Sequence, residues 1–155
     1  MRTVVFFLLA LICLAGNAQV NNDLPTVDQQ YFPESFRKFY VNMPVSELLA
    51  MRKNVEMDGE KGTYVTYYDE VLKDEQFSEI TYQADGYDNV YEYIFEFNKD
   101  ITTEQILTYA KRMYGKPNAA DESMPYQWKF KLDGLTLLIW IYNNRLCIAD
   151  DDKMN

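Results

Sequence analysis

Paired carboxylates are the only catalytic arrangement that the composition leaves open, because the chain contains no histidine. Without histidine, neither a Ser–His–Asp nor a Cys–His arrangement can form. Glu92 and Glu96 share one face of a predicted strand, but four residues at ~3.3 Å each separate their backbones by ~13 Å. Glycosidase carboxylates stand only ~5 to 9.5 Å apart. We therefore interpret the pair as solvated and assign no catalytic residue, while a carboxylate-dependent hydrolase stays open as an alternative.

Two acidic groups could in principle bind calcium through oxygen ligands. Neither has the spacing of an EF-hand loop. The serines lie outside any nucleophile-elbow pattern, and the chain has no phosphate loop and no GxGxxG. We therefore predict no metal site and no cofactor. The two acidic groups are Asp85 with Asp88, and Asp150, Asp151 and Asp152.

The most informative stretch is a predicted meander of three strands over residues 126–149, with tight turns at Asp133-Gly134 and Asn143-Asn144. Its middle strand, 135–142, is apolar on both faces, and one face carries Leu138, Trp140 and Tyr142. Trp and Tyr dominate binding hot spots. We predict that these three residues form an exposed face for a partner. The alternative is that the N-terminal segment or a second chain covers them. Cys147, in the last strand, is predicted to be a small buried hydrophobe.

The first residues have the pattern of a secretory signal peptide over 1–18. A short positive start at Arg2 precedes an apolar run over 4–14 and the small residues Gly16 and Ala18. That run is shorter than the about 20 residues of a membrane span, so we predict no integral membrane segment after cleavage. Removing Arg2 leaves 14 of the 15 Lys and Arg residues against 24 Asp and Glu. Such an acidic chain repels nucleic acid. We expect a bacterial protein that is exported to the periplasm or the extracellular space.

Two helices are expected to support the strands. The first begins at Pro44, a residue type that is favoured at the first helical position. The second has a capping box at Thr102 and Gln105 and ends at Gly115 before Pro117. Strands are predicted over 63–72, 77–84 and 90–97, in addition to the three of the meander.

This order predicts an α+β fold with an antiparallel sheet of about six strands and both helices on one face. A helix followed by three strands occurs twice, which suggests an internal repeat. We divide the chain into four parts: the signal peptide 1–18, a loosely ordered lead-in 19–40 that docks through the aromatic residues near its end, a single domain 41–150, and an acidic tail 151–155.

Three short motifs resemble small exported bacterial proteins with the fold of the β-lactamase inhibitor protein. They are the helix start at Met43-Pro44 with Glu47-Leu48, the helix end 114–117, and the hairpin that contains Trp128. The resemblance spans about residues 41–150. It implies a helix-backed antiparallel sheet whose open face binds another macromolecule in some members, and it implies no set of functional residues.

Together these observations predict an exported, non-catalytic binding module that recognises a protein or a glycan through an aromatic sheet face. A structural or assembly subunit of the cell envelope is one alternative. The carboxylate-dependent hydrolase is the other.

Overall fold

The computed structural model describes residues 27–120 and 122–154. The predicted signal peptide lies outside these residues. The fold is α+β, as expected, and these residues form one antiparallel sheet and two α-helices. The elements in chain order are β1 (Met43–Pro44), α1 (Val45–Met51), β2 (Glu56–Asp58), β3 (Val65–Val71), β4 (Phe77–Asp85), β5 (Asn89–Phe97), α2 (Thr103–Tyr114), β6 (Gln127–Leu132), β7 (Leu135–Tyr142) and β8 (Arg145–Asp150).

Seven strands lie side by side in the order β2-β3-β4-β5-β8-β7-β6, and the short β1 pairs with β5. The six predicted strands are all present, but the expected count was too low. β1 and β2 were missed because two or three residues are too few for an alternating pattern to be recognised. As a result, four strands follow α1 and three follow α2.

One face of the sheet carries a core rich in aromatic side chains. Tyr93 and Phe95 of β5 are fully buried there. The ring of Phe32 lies edge-on to Tyr93 at 4.9 Å between centroids, and Phe36 lies 5.0 Å from Phe95. The described part of the lead-in therefore docks through its aromatic residues, as predicted. It belongs to the main hydrophobic core, although it lies before the predicted start of the domain.

Both helices bury one apolar face in this same core, while Leu49 and Met51 of α1 stay exposed. The capping box of α2 is formed. The Gln105 backbone amide donates to the Thr102 hydroxyl at 3.3 Å, and the Thr102 backbone amide donates to the Gln105 side-chain oxygen at 2.8 Å. Gly115 ends the helix at a φ of 77°, a value that favours glycine. Its carbonyl accepts a 3.0 Å hydrogen bond from the Trp128 indole, which ties the helix end to β6.

The predicted acidic tail is attached to the fold. Asp151–Lys153 form a 3-10 turn. Asp151 pairs with Lys129 at 2.8 Å, and Lys153 pairs with Asp85 at 2.5 Å. In the part of the chain that is described, no helix has the length and apolar character needed to cross a membrane.

Candidate functional site

The side of the sheet that faces away from the core is called the open face here. Strand side chains alternate between faces, so the strand register identifies the residues that belong to it. β2 to β5 form its acidic half, and β6 to β8 form its apolar half. One row of paired residues crosses both halves: Tyr67, Gln83, Glu92, Ala149, Leu138 and Lys129.

The apolar half contains the residues that the sequence singled out. Leu138 is buried, and Trp140 is only 9% exposed, within a small cluster that includes Cys147 and Ala149. Met124, from the connection between α2 and β6, packs against this cluster. The expected exposure of Leu138 and Trp140 is therefore wrong. Tyr142, at the end of β7, is 57% exposed, as expected.

The cover over Trp140 differs from both of the covers considered from the sequence. The described part of the lead-in packs into the main core with Phe32 and Phe36, and that core does not include Trp140. A side chain of a polar loop, Met124, contacts the tryptophan cluster instead. Met is unbranched and flexible, and so suits an irregular gap of this kind.

Glu92 is the most unusual polar residue of the open face. It is only 4% exposed, and among residues 27–120 and 122–154 no side chain forms a hydrogen bond or an ion pair with it. Burial without a compensating partner raises the pKa of Glu92 to about 7. Glu96, by contrast, is partly exposed and pairs with Arg145 at 3.3 Å. The interpretation of both carboxylates as solvated is thus wrong for Glu92.

A second buried carboxylate shows what Glu92 lacks. Glu70 lies on the core side of β3 and is equally buried. Its Oε2 accepts hydrogen bonds of 2.9 Å from both Arg52 Nε and the Tyr82 hydroxyl. A buried charge is tolerated when it is paired and hydrogen-bonded. Glu70 meets this condition within the fold, whereas Glu92 does not.

A groove of about 630 Å³ lies at the end of the acidic half and is lined by tyrosines. Tyr64 and Tyr87 are 84% and 88% exposed at its rim. Tyr91 is buried, and its hydroxyl donates to Gln83 Oε1 at 3.0 Å. Tyr67 of β3 is also exposed on the open face. The tyrosine groove is lined by Thr63, Tyr64, Val65, Asp85, Gly86, Tyr87, Tyr91 and Lys153.

The turn between β4 and β5 holds Tyr87 away from the core. The Asp85 carboxylate accepts hydrogen bonds of 3.0 Å from the backbone amides of Tyr87 and Asn89. Burial disfavours the ionised form of Asp85, but the hydrogen bonds from Lys153 and these amides outweigh it and lower the Asp85 pKa. Gly86 is required here because a Cβ atom would stand 2.7 Å from the Thr63 carbonyl oxygen. The turn is therefore held firmly in place.

Charge is distributed unevenly over the open face. β2, β3, β4 and β5 contain no lysine and no arginine. Two like-charged pairs stand directly opposite each other, Glu56 with Asp69 and Glu79 with Glu96. Such pairs are destabilising. Several carboxylates of this half form no ion pair with any residue in the described ranges: Glu56, Asp58, Asp69, Glu79 and Glu92.

The acidic groups considered as calcium ligands are engaged in other contacts. Asp88 pairs with Lys61 at 2.6 Å, and Asp150 accepts a 2.9 Å hydrogen bond from Asn42 Nδ2. Within residues 27–120 and 122–154, no cluster of three or more acidic, cysteine or histidine residues could hold a metal ion. Cys147 is buried, as predicted, and burial raises the pKa of its thiol, so that it stays protonated.

The tyrosines of the groove were not identified from the sequence, where tyrosine was interpreted only as a strand former. Their positions did carry a signal. Tyr64 follows Gly62, and Tyr87 lies in the turn that contains Gly86, and turn segments run over the protein surface. Comparison of the chain with family models, with curated proteins and with solved structures finds no match.

Proposed function

We propose that the protein is an exported, non-catalytic binding module that recognises a macromolecule, a protein or a glycan, through the open face of its sheet. The observation that carries the proposal is the tyrosine groove, with Tyr64 and Tyr87 almost fully exposed at its rim. Tyrosine supplies a large and fairly rigid contact area together with a polar hydroxyl. Exposed apolar side chains that lie together in this way mark interaction sites.

The size and rigidity of the groove support this proposal. Its volume of about 630 Å³ falls within the ~300 to 1,000 Å³ of typical ligand sites. Its walls are the ends of strands and the Asp85 turn, which is held by two side-chain-to-backbone hydrogen bonds. A site on rigid elements loses less conformational entropy on binding than a site on a mobile loop.

The face predicted from the sequence takes a secondary part in the proposal. Tyr142 is accessible and extends the surface that a large partner could contact. Leu138 and Trp140 would contribute only if the segment that carries Met124 moved away, because Met124 packs against their cluster. The tyrosine groove needs no such movement.

Site-specific photo-crosslinking in the source organism tests the proposal. A benzoylphenylalanine in place of Tyr64 or Tyr87 should give covalent adducts, whereas the same probe at Lys111, exposed on α2, should give none. The adducts should disappear in competition with excess wild-type protein but not with the Tyr64→Ala/Tyr87→Ala variant. A glycan array probed with the wild type and with this variant tests whether the partner is a glycan. The proposal would be refuted if all three positions gave equal adducts and if the wild type and the Tyr64→Ala/Tyr87→Ala variant gave the same signal on the glycan array.

One observation favours the hydrolase as a second candidate. The buried Glu92, with its pKa near 7, has the property of a general acid that works at neutral pH. Glu96 is paired with Arg145, so another carboxylate would have to serve as the second catalytic group. Polysaccharide turnover that is abolished by Glu92→Gln and kept by Glu96→Gln would establish this function, and no turnover by the wild type would remove it.

The remaining expectations are part of the same proposal. The crosslinking experiment separates a transient binder from an assembly subunit of the cell envelope, because a subunit gives one stoichiometric adduct. Export to the periplasm or the extracellular space, the likeness to the β-lactamase inhibitor protein fold and the internal repeat stay predictions. Fractionation of cells that express the native chain tests the first of these.

A further inference from the structure

We propose that the acidic half of the open face binds a cationic segment of a protein, whose arginine or lysine side chains contact the carboxylates of β2 to β5 and stack on the exposed tyrosines. This inference rests on the proposed binding function and names the chemistry of the partner. Charge complementarity is its basis: the strands of this half carry acidic residues and no basic ones.

Most carboxylates on the open face of this half form no ion pair within the described part of the fold. Asp85 and Glu96 have cations at 2.5 and 3.3 Å, from Lys153 and Arg145, which both lie outside the acidic half. The cross-strand pair of Glu56 and Asp69 forms no ion pair with a described residue, although Lys73, just after β3, lines the same pocket as both carboxylates. Like charges that face each other across two strands raise the free energy of the folded state. A bound cation would relieve this repulsion.

Glu92 provides an independent indication. Its side chain is more than nine-tenths buried on the open face, next to Gln83 in the register, and no described residue donates to its oxygens. The comparison with Glu70 shows that this fold pairs a buried carboxylate with a guanidinium where one is within reach. A guanidinium supplied by a partner would give Glu92 the donor that it lacks once the side chains that cover Glu92 move aside.

The exposed tyrosines match the same ligand. A guanidinium or ammonium group is attracted to the face of an aromatic ring within about 6 Å of its centre. The protein already uses this contact on its other side, where the Arg52 guanidinium carbon stands 5.6 Å from the centre of the Phe36 ring. Tyr67 is exposed opposite Asp58, which forms no ion pair with a described residue. Tyr64 and Tyr87 are exposed at the end of the same half, beside the ion pair of Asp85 and Lys153. Arginine, which both stacks and forms two parallel hydrogen bonds, fits better than lysine.

The test is titration of the full chain with a fluorescent nona-arginine peptide, and with nona-lysine for comparison. The charge variant is Glu56→Gln/Asp58→Asn, at two exposed positions of β2. The matched control is Glu34→Gln/Glu104→Gln, which removes the same charge from exposed positions at the start of a 3-10 turn and in the first turn of α2. We expect nona-arginine to bind more tightly than nona-lysine. The charge variant should weaken binding about threefold or more, and the control less than twofold.

The aromatic part of the site is tested with Tyr64→Ala/Tyr87→Ala, which should weaken nona-arginine binding about tenfold. Equal effects of the charge variant and its control would mean that only the net charge attracts the peptide, and would overturn the inference. A glycan that binds in a tyrosine-dependent way, and is unaffected by Glu56→Gln/Asp58→Asn, would also overturn it while the proposed function stands. If, in addition, the probes at positions 64 and 87 gave no covalent adducts, both this inference and the proposed function would be refuted.

Discussion

The two halves of the open face share one sheet but differ in what covers their side chains. In the apolar half, Leu138 and Trp140 are buried in a cluster against which Met124 packs. In the acidic half, Tyr64, Tyr67 and Tyr87 stay exposed among carboxylates. Large apolar side chains gain free energy by leaving water, so a nearby loop readily covers them. Among residues 27–120 and 122–154, no segment covers Tyr64 or Tyr87. We therefore place the proposed binding surface at the exposed tyrosines and not at the most hydrophobic strand.

The largest effect that would distinguish the halves is on stability. Trp140→Ala removes a buried side chain from the apolar half and should lower the free energy of unfolding by about 3 kcal/mol or more. The exposed neighbour on the same strand, Tyr142→Ala, should change it by less than about 1 kcal/mol. Denaturant unfolding monitored by circular dichroism measures both. A small loss for Trp140→Ala would mean that the apolar half is also accessible in solution.

The pH dependence of stability tests the isolation of Glu92. Its folded pKa of about 7 lies above the ordinary 4.5, so the folded state binds this proton more tightly than the unfolded state does. The stabilisation that this bound proton gives is complete below pH 4.5. It is lost as the pH rises through about 7, and the free energy of unfolding falls by at most about 3 kcal/mol. Glu92→Gln should therefore stabilise the protein at pH 8 and change little at pH 4.5.

Denaturant midpoints at the two pH values measure this difference. The variant Glu96→Gln is the control, because Glu96 is partly exposed and already paired with Arg145. The same pH profile for both variants would show that Glu92 is solvated in solution. Tyr91 and Cys147 lie near Glu92 and add little below pH 8, because burial raises the pKa of both groups and the Glu92 charge raises each further.

The cover over the apolar half can be removed by itself. Met124→Ala should cost about 1 kcal/mol of stability, because this side chain is only partly buried. It should also increase the quenching of tryptophan fluorescence by acrylamide, since Trp128 is fully buried elsewhere and Trp140 would become accessible. When Met124→Ala is combined with Trp140→Phe, this increase in quenching should vanish. Unchanged quenching would indicate that another segment covers Trp140.

The smallest effect on stability is expected in the acidic half. Tyr64→Ala/Tyr87→Ala should change the free energy of unfolding by less than about 0.5 kcal/mol, since both rings are almost fully exposed. The same variant should lose crosslinking and peptide binding. A large loss of stability would mean that the tyrosines support the turns rather than a partner.

The elements of the fold were largely predictable from local pattern. Alternation identified the strands of the meander, and Thr102, Gln105 and Gly115 marked the ends of α2. β2 was missed because three exposed residues show no alternation. The burial of Phe32 in the main core also extends the packed region beyond the predicted start of the domain. Local pattern cannot indicate which distant strand such a residue meets.

The candidate site was less predictable, because exposure depends on contacts between distant segments. Glu92 alternates with Tyr93 as a solvated strand residue would, yet it is buried on the open face. Trp140 lies on the open face, as strand alternation predicts. It is nevertheless buried, because Met124 packs against its cluster.

The amino-acid sequence by itself determined the six longer strands, the two helices and the acidic character of the chain, since these follow from residue type and spacing. The tertiary structure alone decided which faces are covered. It buried Trp140 against a loop, left Glu92 without a partner among the described residues and gathered the tyrosines of two separate turns around one groove. Burial depends on what packs against a residue, and the packing of distant segments is a property of the whole fold.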